Sequence, residues 1–457
     1  MAYLVDVTPT EPDAPAKASV LGRSRAVITS ALARDSLGYF GSKVVPGLIG
    51  LASVPVFIRL IGMEQYGRFA VIVPFLMAVA AAGSGWIAQG ILRFHPLATD
   101  ARQRKDIFDQ ALRRGTVASV LTTSIALAMV LAGLRYSLGT VLISLSYCSS
   151  LLAYTVLLAR FQAKLRPASV LRREIVRSIG CLGLPVVIVL LIGRKHFELV
   201  ILGQAIAYTI ALLPGFQFRR LTCEETPHRR RGHLRGASFS DDTIRELWRF
   251  GWAVGLWLLL SQALPVVDRW TIQRFASFNS AGIYASLYEI AIRSFSFLAF
   301  PLTQAAHPRI MRAWNEGNFA ESYRIIRYSI LSQFTIFGTV LAGVSLFAHR
   351  ITKFILGFDD PAATRMLPVL LVGGFLWQLA LLLHKPLEIA QRTGAMLSAM
   401  AVVVALNVLA CFVFIPRFGY ESASYILVFS ACCYVVVTLG MTRFRALRRF
   451  SGAAETC

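Results

Sequence analysis

The feature that most constrains this sequence is a succession of about twelve apolar stretches separated by short polar segments. A helix needs roughly 20 apolar residues to cross a hydrocarbon core of ~30 Å, and these stretches have about that length. Charged residues make up only 16% of the chain, against about 25% in ordinary soluble domains. We therefore predict an all-α, polytopic membrane protein with spans at 37–60, 68–92, 115–134, 138–159, 175–193, 197–217, 247–267, 280–303, 328–348, 366–384, 394–415 and 420–441.

The distribution of basic residues predicts the orientation of these spans. If the N-terminus is cytoplasmic and residues near the end of a span are counted with the adjoining loop, the cytoplasmic segments hold 34 of the 47 Lys and Arg residues and the outer turns hold 11. The other two, Lys43 and Arg293, lie deeper within spans. Cytoplasmic loops of membrane proteins are enriched in Lys and Arg, so we expect both termini to be cytoplasmic. The net charge of +23 has the same explanation, and we expect no nucleic-acid partner.

The loops predict a division of the chain into two halves. We expect a cytoplasmic tail over 1–36, an N-lobe of six spans over 37–217, a basic cytoplasmic linker over 218–246, a C-lobe of six spans over 247–441 and a cytoplasmic tail over 442–457. The linker has the composition of a solvated segment that also makes weak contacts with anionic lipid headgroups. The outer turns are all short, which argues against a separate domain on that side.

A short sequence pattern recurs at the start of each half. Pro55-x-x-x-Arg59 is followed after a turn by Gly67-Arg68-Phe69-Ala70, and Pro265-x-x-x-Arg269 is followed by Gly282-Ile283-Tyr284-Ala285. Because six spans separate the two hairpins, the repeat would be parallel, about an axis along the membrane normal, as in some transporters. We expect both corners at the outer side of the membrane, close to the place where the two lobes part.

Small residues predict where helices approach closely. The second span contains a run of small residues over 80–85, and the seventh begins with Gly251-x-x-x-Gly255. Such residues allow the backbones of membrane helices to come into contact.

Charges inside the predicted spans are the candidate functional residues. Glu289 and Arg293 are four positions apart in the eighth span and therefore share a helix face. They either form a self-neutralising structural pair or line a cavity, where Arg293 contacts an anionic substrate and Glu289 tunes it or takes up a coupling proton or cation. Lys43 either snorkels to the cytoplasmic headgroups or supplies a further cation to the cavity.

Five further residues are weaker candidates. Gln89 and Arg93 repeat the four-residue spacing at the cytoplasmic end of the second span, where Arg93 also suits an ordinary basic flank. Asp268 and Arg269, at the outer end of the seventh span, are predicted gate or interface residues, with Gln262 below them facing the bundle.

Several motifs are absent from the sequence. It has no G-x-x-x-x-G-K-[ST] phosphate loop and no zinc-type spacing of Cys or His. We therefore expect neither an ATP-hydrolysing module nor a metal centre, no cofactor and no enzymatic activity, with an H⁺ or Na⁺ gradient as the candidate driving force.

The order of several segments resembles the polysaccharide flippases of the Wzx type, members of the multidrug/oligosaccharidyl-lipid/polysaccharide exporter superfamily. These segments are P-x-F-I-R-L-I-G-M-E-x-Y-G-R-F-A from Pro55, V-D-R-W from Val267, A-G-I-Y-A from Ala281 and I-P-R-F-G-Y-E-S-A-S from Ile415. The resemblance extends from about Gly38 to Thr442 and departs at Glu421, where the family often has a small residue.

The resemblance implies a MATE-like fold of two six-helix lobes around a central cavity that opens alternately to each side. It also implies a function, the transfer of an oligosaccharide on undecaprenyl pyrophosphate from the cytoplasmic to the periplasmic leaflet of the bacterial inner membrane. A polysaccharide polymerase and a chain-length regulator are candidate partners. Two alternatives stay open: an antiporter for drugs or other small molecules in the same superfamily, and a membrane enzyme of glycan assembly.

Overall fold

In the computed structural model, every element of regular structure in the described part of the chain is helical. The structure describes residues 44–94, 102–134, 136–164, 166–213, 241–315, 318–384, 387 and 392–452. The long helices are α1 Val44–Ile61, α2 Met63–Phe94, α3 Arg102–Gly133, α4 Leu138–Ala163, α5 Pro167–Ile192, α6 Phe197–Leu212, α7 Asp241–Phe275, α8 Phe278–Asn315, α9 Phe319–Leu356, α10 Pro361–Leu383, α11 Thr393–Phe418 and α12 Ser422–Gly452.

Each predicted span corresponds to one of these helices, which confirms the all-α membrane architecture. Ten of the described helices are long and apolar enough to cross a membrane, and α6 is a shorter apolar helix. Helix α8 contains Glu289 and Arg293 in its apolar part. Charges within a membrane helix are costly in lipid, which agrees with a role in lining a cavity rather than in facing lipid.

The helices form two groups that correspond to the two lobes. In the first group α2 packs against α3, α4 and α6, and α5 packs against α6. In the second group α10 packs against α8, α9 and α12, and α11 packs against α7 and α12. The groups meet where α2 contacts α7 and α8.

Glycines allow α2 and α7 to come into backbone contact. A Cβ atom at Gly85 would lie 3.1 Å from the Cα of Gly255, and one at Gly251 would lie 2.2 Å from the carbonyl oxygen of Trp86. The predicted close approach at Gly251-x-x-x-Gly255 is therefore confirmed, and its partner is the small-residue run of α2.

The two predicted corners contact each other. Gly62, with a φ of +83°, is the single residue between α1 and α2, and a left-handed backbone of this kind favours glycine. Just after this turn, Gly67 packs against the backbone of Phe278 and Gly282 at the start of α8. The guanidinium of Arg68 lies 4.5 Å from the ring centroid of Phe278. The side of the membrane on which the corners lie stays a prediction.

Some helices extend beyond the segments assigned to them from the sequence. Helix α7 begins at Asp241, within the predicted linker, and α12 continues to Gly452, within the predicted C-terminal tail. Apolarity predicts the part of a helix that lies in lipid, but a helix also continues through polar residues beyond it.

Candidate functional site

A cavity of about 310 Å³, lined by both polar and apolar side chains, lies between the two lobes. This volume is at the lower end of the range of about 300–1,000 Å³ that is usual for ligand sites. Helices α1, α2, α4, α5 and α6 form its N-lobe side, and α7 and α8 form its C-lobe side. Its charged and polar lining residues are Ser53, Tyr66, Tyr147, Arg177, Ser178, Cys181, Gln204, Tyr208, Arg269, Glu289 and Arg293.

On the C-lobe side, one carboxylate is shared by two arginines. Oε1 of Glu289 accepts a hydrogen bond from Nη2 of Arg269 at 2.8 Å, and Oε2 accepts one from Nε of Arg293 at 2.7 Å. The side chain of Arg269 is 2% exposed, whereas that of Arg293 is 42% exposed. Glu289 therefore holds one buried and one accessible guanidinium at the cavity.

Arg269 also links the two lobes. Its Nη1 donates to the carbonyl oxygen of Ala70 in α2 at 3.1 Å, and its guanidinium lies 5.1 Å from the ring centroid of Tyr288. Its Nε is buried and has no hydrogen-bond partner among the described residues. The residue predicted as a gate or interface residue thus makes a direct contact between the lobes and lines the cavity.

Arg293 projects past a glycine of α1. A Cβ atom at Gly50 would lie 2.1 Å from Nη1 of Arg293. The guanidinium therefore occupies space that any larger residue at position 50 would take. Glycine at this position keeps the accessible arginine in the cavity.

On the N-lobe side, Arg177 lines the cavity, although it is not among the candidate residues predicted from the sequence. The charge count placed it with the cytoplasmic flank of the fifth span, but its side chain lines the cavity. Its Nη2 donates to Oε2 of Glu174 at 2.7 Å and to Oγ of Ser178 at 3.1 Å. Its guanidinium also lies 5.9 Å from the ring centroid of Tyr154 and 5.6 Å from that of Tyr208.

Close packing of α5 on α6 positions this arginine. A Cβ atom at Gly180 would lie 2.9 Å from the Cβ of Ala207, and one at Gly203 would lie 2.6 Å from the backbone nitrogen of Pro185. The sequence signal for Arg177 was its spacing from Glu174, which is the same kind of intrahelical pair as Glu289 and Arg293.

The charged lining of the cavity is mostly cationic. Three arginines and one glutamate reach it, one arginine from the N-lobe and the other three charges from the C-lobe. In a low-dielectric surrounding, guanidinium groups bind carboxylates and phosphates through short, charge-assisted hydrogen bonds. The site is therefore suited chemically to an anion and not to a cation.

Asp268 lies apart from this cavity, inside the C-lobe. Its carboxylate is fully buried and accepts hydrogen bonds from the hydroxyl of Tyr284 at 2.8 Å and from Nδ2 of Asn407 and Sγ of Cys411, both at 3.2 Å. Asn407 donates in turn to Ser430 at 3.1 Å. These contacts join α7, α8, α11 and α12, so the observed role of Asp268 is to hold C-lobe helices together; its gate role stays a prediction.

The remaining candidates lie outside the described cavity lining. Lys43 is outside the described residues, and only the backbone of Arg93 is described. Gln89 and Gln262 are half-buried in α2 and α7, and neither lines the cavity. In the part of the chain that the structure describes, no group of three or more His, Cys, Asp or Glu side chains could hold a metal ion.

Solved structures share this fold at low sequence identity. An outward-facing multidrug resistance MATE family transporter of the MOP superfamily aligns at a TM-score of 0.63 and 16% identity, over 93% of this chain and 97% of that one. An inward closed conformation of the lipid II flippase MurJ aligns at a TM-score of 0.65 and 13% identity, over 90% of this chain and 87% of that one. A MOP superfamily transporter from Pyrococcus furiosus aligns at a TM-score of 0.60 and 14% identity, over 89% of this chain and 95% of that one. These likenesses confirm the expected two-lobe, MATE-like fold.

The sequence itself matches one protein family. No curated protein matches it, but the family described as "Polysaccharide biosynthesis protein" matches residues 32–314, which include all the residues of the interlobe cavity. This match agrees with the resemblance to Wzx-type proteins. The chain is a multi-pass membrane protein that belongs to the polysaccharide biosynthesis protein family.

Proposed function

We propose that this protein is a flippase of the bacterial inner membrane that moves a lipid-linked oligosaccharide from the cytoplasmic to the periplasmic leaflet. Its cargo would be an oligosaccharide on undecaprenyl pyrophosphate, used for a surface polysaccharide. The family match supports a place in polysaccharide biosynthesis, and the fold is that of superfamily members whose names describe transporters and a lipid II flippase.

The observation that carries this proposal is the cationic cavity between the lobes. A diphosphate headgroup in a low-dielectric passage needs fixed positive charges, and Arg177, Arg269 and Arg293 line the cavity beside Glu289. Tyr147, Gln204 and other polar side chains of the N-lobe lining offer hydrogen bonds to a sugar. The prenyl chain needs no polar passage, since it can stay in the lipid beside the lobes.

The same charge disfavours the antiporter for cationic drugs. A cation that enters this cavity meets three guanidinium groups and one carboxylate that is already paired with two of them. Such a ligand would be repelled, whereas an anion would be attracted. An enzyme of glycan assembly would instead show product formation by the purified protein with a lipid-linked donor.

A deletion and complementation experiment tests the proposed function. In a strain without the protein, we expect the lipid-linked oligosaccharide to accumulate on the cytoplasmic face and surface polysaccharide to disappear. Wild-type protein should restore export and Arg293→Ala should not, at equal amounts in the membrane. Arg309→Ala is the matched control, because Arg309 is an exposed arginine on the same helix. Accumulation of no lipid-linked glycan, or full export by Arg293→Ala, would contradict the proposal.

A further inference from the structure

A groove of about 740 Å³ opens on the surface of the C-lobe between α11 and α12. Its apolar lining residues are Ala410, Phe414, Phe418, Ile426 and Phe429. Neither helix contributes a residue to the described lining of the interlobe cavity, so the groove is a separate site. Both helices are long and apolar enough to cross a membrane, and the groove on their outer surface therefore faces lipid.

The groove has a polar end at the turn that joins the two helices. Glu421 lies in this turn, Ser422 begins α12 and Tyr425 follows one turn later, and all three line the groove. Phe429 lies seven residues beyond Ser422, which is about 10 Å along the helix. The groove therefore runs from the polar turn at the membrane surface into the apolar part of the span. A lipid, with its headgroup and its hydrocarbon chains, has the same division into a polar and an apolar part.

An ion pair lies at the polar end. Nη2 of Arg365, near the start of α10, donates to Oε1 and Oε2 of Glu421 at 3.0 and 3.1 Å. The side chain of Arg365 is 62% exposed, and its Nε and Nη1 have no hydrogen-bond acceptor among the described residues. The carboxylate can accept further hydrogen bonds, because its two oxygens share one donor nitrogen there. The polar end therefore offers an accessible cation and an accessible anion side by side.

We propose that this groove binds a zwitterionic phospholipid with a primary amine, of the phosphatidylethanolamine class. One hydrocarbon chain lies along the aromatic walls, the phosphate accepts hydrogen bonds from Arg365, and the ammonium donates to Glu421. A choline headgroup has the same charges, but its trimethylammonium group has no N–H to donate. A glycerol headgroup has no cation to place beside Glu421. Burial of the chain supplies affinity for any of these lipids, and the ion pair selects among them.

Photo-crosslinking in nanodiscs tests this site. Full-length protein with p-benzoylphenylalanine in place of Phe414 would be placed in equal amounts of ethanolamine, choline and glycerol phospholipids with identical chains. Mass spectrometry then quantifies the crosslinked lipids. We expect about ten times more ethanolamine lipid than choline lipid, because one hydrogen bond to a charged group distinguishes them. The same substitution at Leu409, which is exposed on α11 but does not line the groove, should give the proportions of the bilayer.

Two charge variants should act in opposite directions on the anionic glycerol lipid. Glu421→Gln leaves Arg365 without its anion, so the glycerol lipid should become the preferred adduct. Arg365→Gln leaves the carboxylate alone, so the glycerol lipid should fall below its wild-type share. Arg417→Gln is the matched control, because Arg417 is exposed at the end of α11 and does not line the groove. Adducts from position 414 in the proportions of the bilayer, or an unchanged ethanolamine preference in Glu421→Gln, would overturn the proposal.

Discussion

The contact between the two corners predicts how a single methyl group would change the conformation of the protein. In Gly67→Ala, the new Cβ atom would lie 1.8 Å from the carbonyl oxygen of Phe278, whereas ordinary contacts begin at 3.4 Å. The obstacle is backbone and cannot rotate away, so the corner has to open by about 1.6 Å, the difference between these two distances. Overpacking of this kind costs about 1–3 kcal/mol.

Most of that cost falls on the closed state of the corner, because Gly67 and Phe278 belong to different lobes. If the open corner avoids the clash, the equilibrium between the two states shifts by about 5- to 150-fold toward the open one. Gly282→Ala should act in the same direction, since its Cβ atom would lie 2.8 Å from the carbonyl oxygen of Met63. Gly343→Ala is the control, because no atom lies within 4 Å of its added Cβ.

Electron–electron distance measurements test this prediction. Spin labels at Glu64→Cys and Ser277→Cys, in a background without the native cysteines, report the separation of two exposed positions, one at each corner. We expect a longer mean distance in Gly67→Ala and Gly282→Ala and an unchanged distribution in Gly343→Ala. The same distribution in all three variants would refute the reasoning that the closed corner rests on these glycines.

Three further predictions concern the charged groups. Asp268→Ala leaves the Tyr284 hydroxyl and the other buried donors without an acceptor, at a cost of about 1–3 kcal/mol each. Because Asp268→Asn keeps an acceptor oxygen, the thermal unfolding midpoint of Asp268→Ala in detergent should lie below that of Asp268→Asn. Equal midpoints would contradict this prediction. Arg269→Met should lower the stability of the protein by about 3 kcal/mol, because it leaves the Glu289 carboxylate without its buried partner. Adding Glu289→Gln should recover part of this loss in the same unfolding assay. No recovery would show that the unpaired carboxylate is not the cause of the loss. In a variant with Cys181 as the sole cysteine, the thiol lies in the cavity lining, so an anionic methanethiosulfonate reagent should react with it faster than a cationic one. Pyrophosphate should slow the reaction of the anionic reagent. A faster reaction of the cationic reagent would contradict a cationic cavity.

The sequence predicts the membrane helices well because crossing a bilayer imposes one strong requirement, a long apolar run. It also identifies Glu289 and Arg293, since charges within such a run are few and costly. The ends of α7 and α12 lie beyond the apolar runs, and the segments assigned to them from the sequence are therefore too short. A polar helix end leaves little trace in hydropathy.

The cavity is harder to predict because its residues come from both lobes. Arg177 follows Arg172 and Arg173 closely enough to resemble a cytoplasmic flank, and only its pairing with Glu174 distinguishes it. The hydrogen bond from Arg269 to the backbone of Ala70 joins residues 199 positions apart, and no local pattern indicates it. Lobe packing decides which intramembrane charges share a cavity.

Transport by the purified protein tests the central claim most directly. Protein reconstituted in liposomes with a fluorescent oligosaccharide on undecaprenyl pyrophosphate would be assayed by the loss of label from the starting leaflet. We expect transfer by the wild-type protein and by Arg309→Ala, and transfer at least about tenfold slower by Arg293→Ala, because one charge-assisted contact to the diphosphate is lost. Transfer at the wild-type rate by Arg293→Ala, or no transfer by the wild-type protein, would contradict a cationic interlobe cavity as the path of the cargo.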